Sequence, residues 1–156
     1  MSKTVIIGSQ EFELPVQGDN PDFATQLTDF FVAVADALAS VQGANDILLS
    51  TATISNNVIV PTSIPGFSFS TASVRAIEST YLVERFTSSP VQKFVESGTI
   101  IGNYDGSSWT IASNFVGDAG ITFSISASGQ MQYTSSNITG SGYVSTIKFS
   151  AKTISE

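Results

Sequence analysis

A chain of 156 residues, 42% hydrophobic and 10% aromatic, can bury one core or one core plus a small module, which excludes wholesale disorder. Its formal charge of −7 leaves nothing to neutralise phosphates, which excludes a nucleic-acid ligand and disfavours an anionic membrane surface. With no His and no Cys, Ser-His-Asp triads, thiol catalysis, the usual zinc sites and any disulfide framework are excluded as well.

Charged residues make up only 12% of the chain, about half the usual quarter, and Ser and Thr fill the gap. The charge is also unevenly placed. No Lys or Arg lies between Thr4 and Val74, where Glu11, Glu13, Asp19, Asp22, Asp29, Asp36 and Asp46 all fall; from Arg75 onward the signs nearly balance. No apolar run approaches membrane-spanning length, and MSKTVIIGSQEFELP lacks the long apolar core of a signal peptide. The expectation is a chain made in the cytoplasm, without export or membrane insertion.

In chain order, TVIIGSQEFEL reads as two short strands around Gly8-Ser9, a loop suited to a tight hairpin. Phe12 and Leu14 share one parity, Glu11 and Glu13 the other. NPDFATQLTDFFVAVADALASVQG is the one convincing helix: Asn20 is a good N-cap, Pro21 is tolerated in the first turn, Asp22 suits the positive end of the dipole, and Gly43 supplies a stop. Phe23, Leu27, Phe30, Val34, Ala37 and Val41 recur with the 4-3-4-3-4 spacing of a coiled-coil seam, which Phe31 and Leu38 widen. Two readings stay open: a core helix lying on a sheet, or a short oligomerisation bundle between copies.

From about Ile47 the pattern is that of strands. NVIV, FSFS, VRAIESTYLVERF, GTIIGNY, SWTIASNF, ITFSISA, QMQYTS and YVSTIKFSA are β-branched and aromatic runs punctuated by Pro65-Gly66, Asp105-Gly106, Ser128-Gly129 and Thr139-Gly140. The spacing predicts a mainly β fold: an N-terminal hairpin and one amphipathic helix over residues 1–45, then an antiparallel β-sandwich or barrel-like domain over 46–156. In ITFSISASGQMQYTS the alternation puts Ile121, Phe123, Ile125, Met131 and Tyr133 on one face, with a turn at Ser128-Gly129.

The search for chemistry finds little. Glu78 and Glu84 share a parity, but Arg75 and Arg85 lie close in sequence, so ion pairing on a solvated face competes with any catalytic pair. Asp105 and Asp118 sit in Gly-adjacent turns, where Asp is chosen for local hydrogen bonds. The acidic segment has no EF-hand spacing, and Gly98, Gly102 and Gly106 match neither a dinucleotide fingerprint nor a phosphate loop. No cofactor or metal is expected. Asn137-Ile138-Thr139 fits the glycosylation triplet, which arises often by chance in Ser/Thr-rich chains. Tyr104, Trp109, Tyr133 and Tyr143 are the candidates for a glycan platform, against the competing reading that they are core or cross-strand partners.

FVGDAGITFSISASGQMQYTSSNITGSGYVSTIKFSAKTI resembles a β-rich C-terminal module of structural proteins in tailed-bacteriophage virions, including fibre-like and small virion proteins. VRAIESTYLVERFTSSPVQKFVESGTIIGNYDGSSWTIA looks like the first part of the same module, and KTVIIGSQEFELPVQGDNPDFATQLTDFFVAVADAL is similar to segments that precede it. The most specific parts are GDAGITFSISASGQMQYTS and KFSAKT. The resemblance carries no catalytic motif. It implies a virion component made in the host cytoplasm, a homotrimeric short fibre or capsid decoration protein on tail, collar or capsid. Its partners would be its own copies and other virion proteins. The alternative is a receptor- or glycan-binding tip that touches host-surface glycan.

Overall fold

The computed structural model describes residues 3–7, 10–14, 27–35, 43 and 45–156. The chain divides into two compact units, Met1–Ala44 and Asn45–Glu156. In the first, β1 (Lys3–Ile7) and β2 (Gln10–Leu14) form an antiparallel hairpin with Ile7 opposite Gln10 and Lys3 opposite Leu14. That register places the Glu11 and Glu13 positions together on one parity. Residues 27–35 form helix α1. The expected caps and the remaining turns of that helix lie outside the described residues.

The second unit is an antiparallel sandwich. β3 (Ile47–Ala52), β5 (Val74–Ser88), β6 (Val91–Tyr104), β7 (Trp109–Gly117) and β10 (Val144–Ser155) form one sheet in the order β3-β10-β5-β6-β7. β4 (Val58–Ser68), β8 (Ile121–Ile125) and β9 (Gln130–Ser135) form the other in the order β4-β9-β8. Alternation is why the sheets stack. On β5 the residues Ile77, Ser79, Tyr81, Val83, Arg85 and Thr87 are all buried, while Glu78, Thr80 and Phe86 between them are exposed. The core is shared by both sheets: Phe67 of β4 stacks on Phe149 of β10 with ring centroids 4.2 Å apart and planes 10° apart. Tyr81 of β5 meets Phe123 of β8 edge-on at 4.8 Å.

ITFSISASGQMQYTS is the β8–β9 hairpin. Ile121 faces Ser135, Phe123 faces Tyr133 and Ile125 faces Met131, all on the inner face, with Met131 and Tyr133 fully inside. The Ser126 and Gly129 amides close the turn onto Gln130 and Ser126 carbonyls, both at 2.9 Å. Gly129 sits at φ +83°, and a Cβ there would collide with the Phe69 carbonyl, so the turn requires glycine.

The strand reading needs three corrections. Pro65-Gly66 does not separate two strands: NVIV and FSFS belong to one bent β4, whose register to β9 shifts twice, with Gly66 at φ +75° absorbing the bend. β4 is an edge strand, which is where a sheet tolerates proline and irregular register. ILLSTA forms β3, a strand the runs above leave out, and β6 begins at Val91 rather than near Gly98.

Candidate functional site

The inner parity of β5 carries a cation into the sandwich. Arg85 is fully buried and uses every N–H it has. Its Nε donates to the Tyr143 hydroxyl at 3.0 Å; Nη1 donates to the Ala119 carbonyl at 2.5 Å and Ser136 Oγ at 3.3 Å; Nη2 donates to Asn56 Oδ1 at 2.9 Å and the Ser136 carbonyl at 2.7 Å. The guanidinium carbon also stands 5.6 Å from the centre of the Tyr143 ring. On β6, Glu96 is 2% exposed; its Oε1 accepts from the Tyr81 hydroxyl at 2.8 Å and its Oε2 from the Ala119 amide at 3.0 Å. Ala119 lies in the β7–β8 connection, so one residue is held at its N–H by a carboxylate and at its carbonyl by a guanidinium. The connection between the two sheets is thus fixed from inside by two opposite charges that grip the two backbone groups of one residue and form no direct ion pair. A buried charge is tolerable only when bonded this completely.

Burial, and then the Glu96 hydrogen bond and charge, raise the Tyr81 phenol above its ordinary value. The folded state therefore holds that proton more tightly than the unfolded chain. The resulting stability is complete below about pH 10, the range in which a free phenol titrates, and is lost as the pH rises beyond it. Tyr81→Phe should cost about 1–2 kcal/mol at pH 7, because Glu96 loses a donor. The difference from wild type should shrink at pH 11; urea midpoints that keep the same separation at both pH values would refute the coupling.

No group in this network is free for acid-base work, and among the described residues no three His, Cys, Asp or Glu side chains converge to hold a metal ion. Sequence reasoning missed Arg85 and Glu96 as interior residues. Arg85 is not a surface partner of Glu78 or Glu84, as proximity in sequence suggested. Glu84 pairs with Lys93 at 3.1 Å, Glu78 lies opposite Lys152, and Arg75 pairs with Glu156 while sitting 5.7 Å over the Tyr104 ring. Asp105 and Asp118 do serve their turns: Asp105 Oδ1 accepts from the Ser107 and Ser108 amides, each at 2.8 Å, and Asp118 Oδ1 from the Gly120 amide at 2.7 Å. The Ser108 and then the Ser107 amide bonds hold the Asp105 carboxyl well below the usual carboxylate range.

The four candidate glycan aromatics do not converge. Tyr104 and Trp109 lie together at the end of the β6–β7 hairpin, with rings 5.1 Å apart and tilted by 33°. Trp109 also approaches Phe69 at 6.1 Å, and its indole N–H is buried without a hydrogen-bond partner. Tyr133 is core, its hydroxyl accepting from the Ser55 amide at 2.9 Å, and Tyr143 belongs to the Arg85 network. Outside the network, a cleft of about 240 Å³ opens over the β7–β8 connection. Gln92, Phe94, Asp118, Asn137 and Thr139 line it together with Ala119 and Ser136, the residues that Arg85 anchors.

Of the seam residues, Leu27, Phe30 and Val34 are half-buried on α1, whereas Phe31 is 61% and Val32 54% exposed. Phe23, Ala37 and Val41 lie outside the described residues. No described helix is long and apolar enough to cross a membrane.

No protein-family model matches the chain, and no curated protein matches it. Among solved structures it resembles the tailspike protein of Acinetobacter phage vB_ApiP_P1. That likeness has a TM-score of 0.34 and 14% identity over 70% of this chain, and it spans 21% of the tailspike. So slight an overlap carries no argument about what this chain does.

Proposed function

We propose that the chain is a structural component of a bacteriophage virion, a homotrimeric short fibre or decoration protein attached to tail, collar or capsid. The observation that supports this most is that the stretch resembling the virion module, residues 74–154, supplies six of the eight strands of the sandwich. Its buried ionisable groups, Arg85, Glu96 and Tyr81, are spent on holding that sandwich together. In this reading residues 1–45 join the copies or anchor them, and the β-domain projects. Attachment is multivalent, each copy adding a weak contact.

The test is the assembly state. Wild-type protein should sediment with the mass of three chains or a whole multiple of it, and electron micrographs should place it on the particle. Phe30→Asp puts a charge on the apolar side of α1; the variant should lose a factor of three in mass and keep its β circular dichroism. A wild-type protein that is a clean monomer at micromolar concentration and binds no virion would end this reading. If Phe30→Asp weakens the fold with no dissociation step, the seam is internal to one chain.

The Tyr104–Trp109 pair favours a second reading, a glycan- or receptor-binding tip. Trp109 is the single tryptophan, so its fluorescence should respond to host-surface polysaccharide if that reading holds. An unchanged spectrum would remove it.

A further inference from the structure

The sandwich has four outermost strands, β3 and β7 in the larger sheet and β4 and β8 in the smaller. An outermost strand presents unpaired N–H and C=O groups, and proteins usually blunt such edges with bulges, prolines, charges or brevity. β3 is six residues long and its pairing to β10 is bulged. β4 contains Pro61 and Pro65 and shifts register twice. β8 is five residues long and mostly half-buried. β7 has none of these protections. It runs nine residues, WTIASNFVG, in unbroken register with β6 from Tyr104↔Trp109 to Glu96↔Gly117, and it holds no charge and no proline. Every residue from 112 to 117 is exposed, including Phe115 at 51% and Val116 at 79%. A nine-residue, regularly paired, uncharged and partly apolar edge is a pairing surface.

We propose that β7 pairs antiparallel with β7 of a second copy, about a two-fold axis through Ser113. Ser113 is the midpoint of the strand, so this register gives every residue from Trp109 to Gly117 a mate. It sets Ile111 opposite Phe115 of the other copy, Thr110 opposite Val116 and Ala112 opposite Asn114. Residues of like parity face each other, so the inner faces of the two sheets continue across the junction without a flip. Ile111 and Phe115 have the inner parity, and their apposition extends the core sideways. The chain carries a net charge of −7, yet copies meeting here oppose no like charges, because the strand has none. An unrelated uncharged strand could satisfy the same backbone groups; a second copy does so in a register that also sets Ile111 against Phe115 on both sides of the axis.

The full chain has no cysteine, which makes the axis testable by cross-linking. Ser113→Cys puts two thiols directly opposite each other at a separation a disulfide can span. Mild oxidation should give a covalent dimer. Thr110→Cys leaves the two thiols about 20 Å apart at ~3.3 Å per residue and should give none. Ser113→Lys and Ser113→Glu each oppose like charges across the axis, so each should show half the wild-type mass, and mixing them should restore it. This factor of two is separable from the factor of three expected at Phe30. The proposal is overturned if Ser113→Cys cross-links no better than Thr110→Cys. It is equally overturned if the lysine and glutamate variants keep the wild-type mass, the outcome expected when β7 receives a strand from a different protein.

Discussion

Arg85→Ala should destabilise the β-domain by about 3–5 kcal/mol, the cost of removing one member of a buried, fully bonded polar group. The substitution deletes five donors at once, leaves the buried Ala119 carbonyl without its guanidinium donor, and takes one donor each from the Ser136 carbonyl and Asn56 Oδ1. It also leaves Glu96 as a buried carboxylate with no neighbouring cation to balance it through Ala119. For a domain whose whole stability is on the order of 5–15 kcal/mol, that is a large fraction. Arg85→Lys keeps the charge and offers three donors on one nitrogen, which cannot reach acceptors arranged around a planar fork. It should recover less than half of the loss. Urea titration followed by Trp109 emission and by far-ultraviolet circular dichroism measures both variants. An alanine variant within about 1 kcal/mol of wild type would mean that water replaces the guanidinium and that the network is not what fixes the β7–β8 connection.

How far this architecture could be read from the chain depends on whether the information is local. The β8–β9 hairpin was legible because its alternation and its Ser-Gly turn agree within fifteen residues. The parity of Arg85 was legible too. Glu78, Thr80 and Glu84 mark the even positions of β5 as the outer face, so Arg85, two residues from Val83 and four from Tyr81, belongs inside. The habit of pairing a charge with its sequence neighbour hid this, because Glu84 stands next to Arg85 and suggests a surface ion pair. What it contacts was not legible. Asn56, Ala119, Ser136 and Tyr143 come from three separate connections, 29, 34, 51 and 58 residues away, and no spacing rule joins them. Pro65-Gly66 misled for the opposite reason: locally it is a turn signal, and only the position of β4 at a sheet edge lets one strand run through it. β3 and the first half of β6 were passed over because ILLSTA follows the helix closely and VQKFVE is half polar. Their strand character comes from β10 and β5, on which they pair.

The second large effect is expected where the two sheets meet. Phe67 and Phe149 are 0% and 1% exposed, and their stacked rings join β4 of one sheet to β10 of the other. Phe67 also meets Phe69 edge-on at 5.8 Å, so the stack is flanked by a third ring and its walls cannot close freely. Phe149→Ala should therefore cost about 3–5 kcal/mol, combining lost transfer energy with the cavity left behind. Phe149→Leu keeps most of the volume and should cost less, about 1–2 kcal/mol. Phe67→Ala should resemble Phe149→Ala. The double variant should fall short of the sum by about 0.5–1.5 kcal/mol, since the contact between the rings can be lost only once. Equilibrium unfolding of the four proteins measures the cycle. Strict additivity would show that each ring is held by its own sheet and that the stacking contributes nothing to keeping the sheets together.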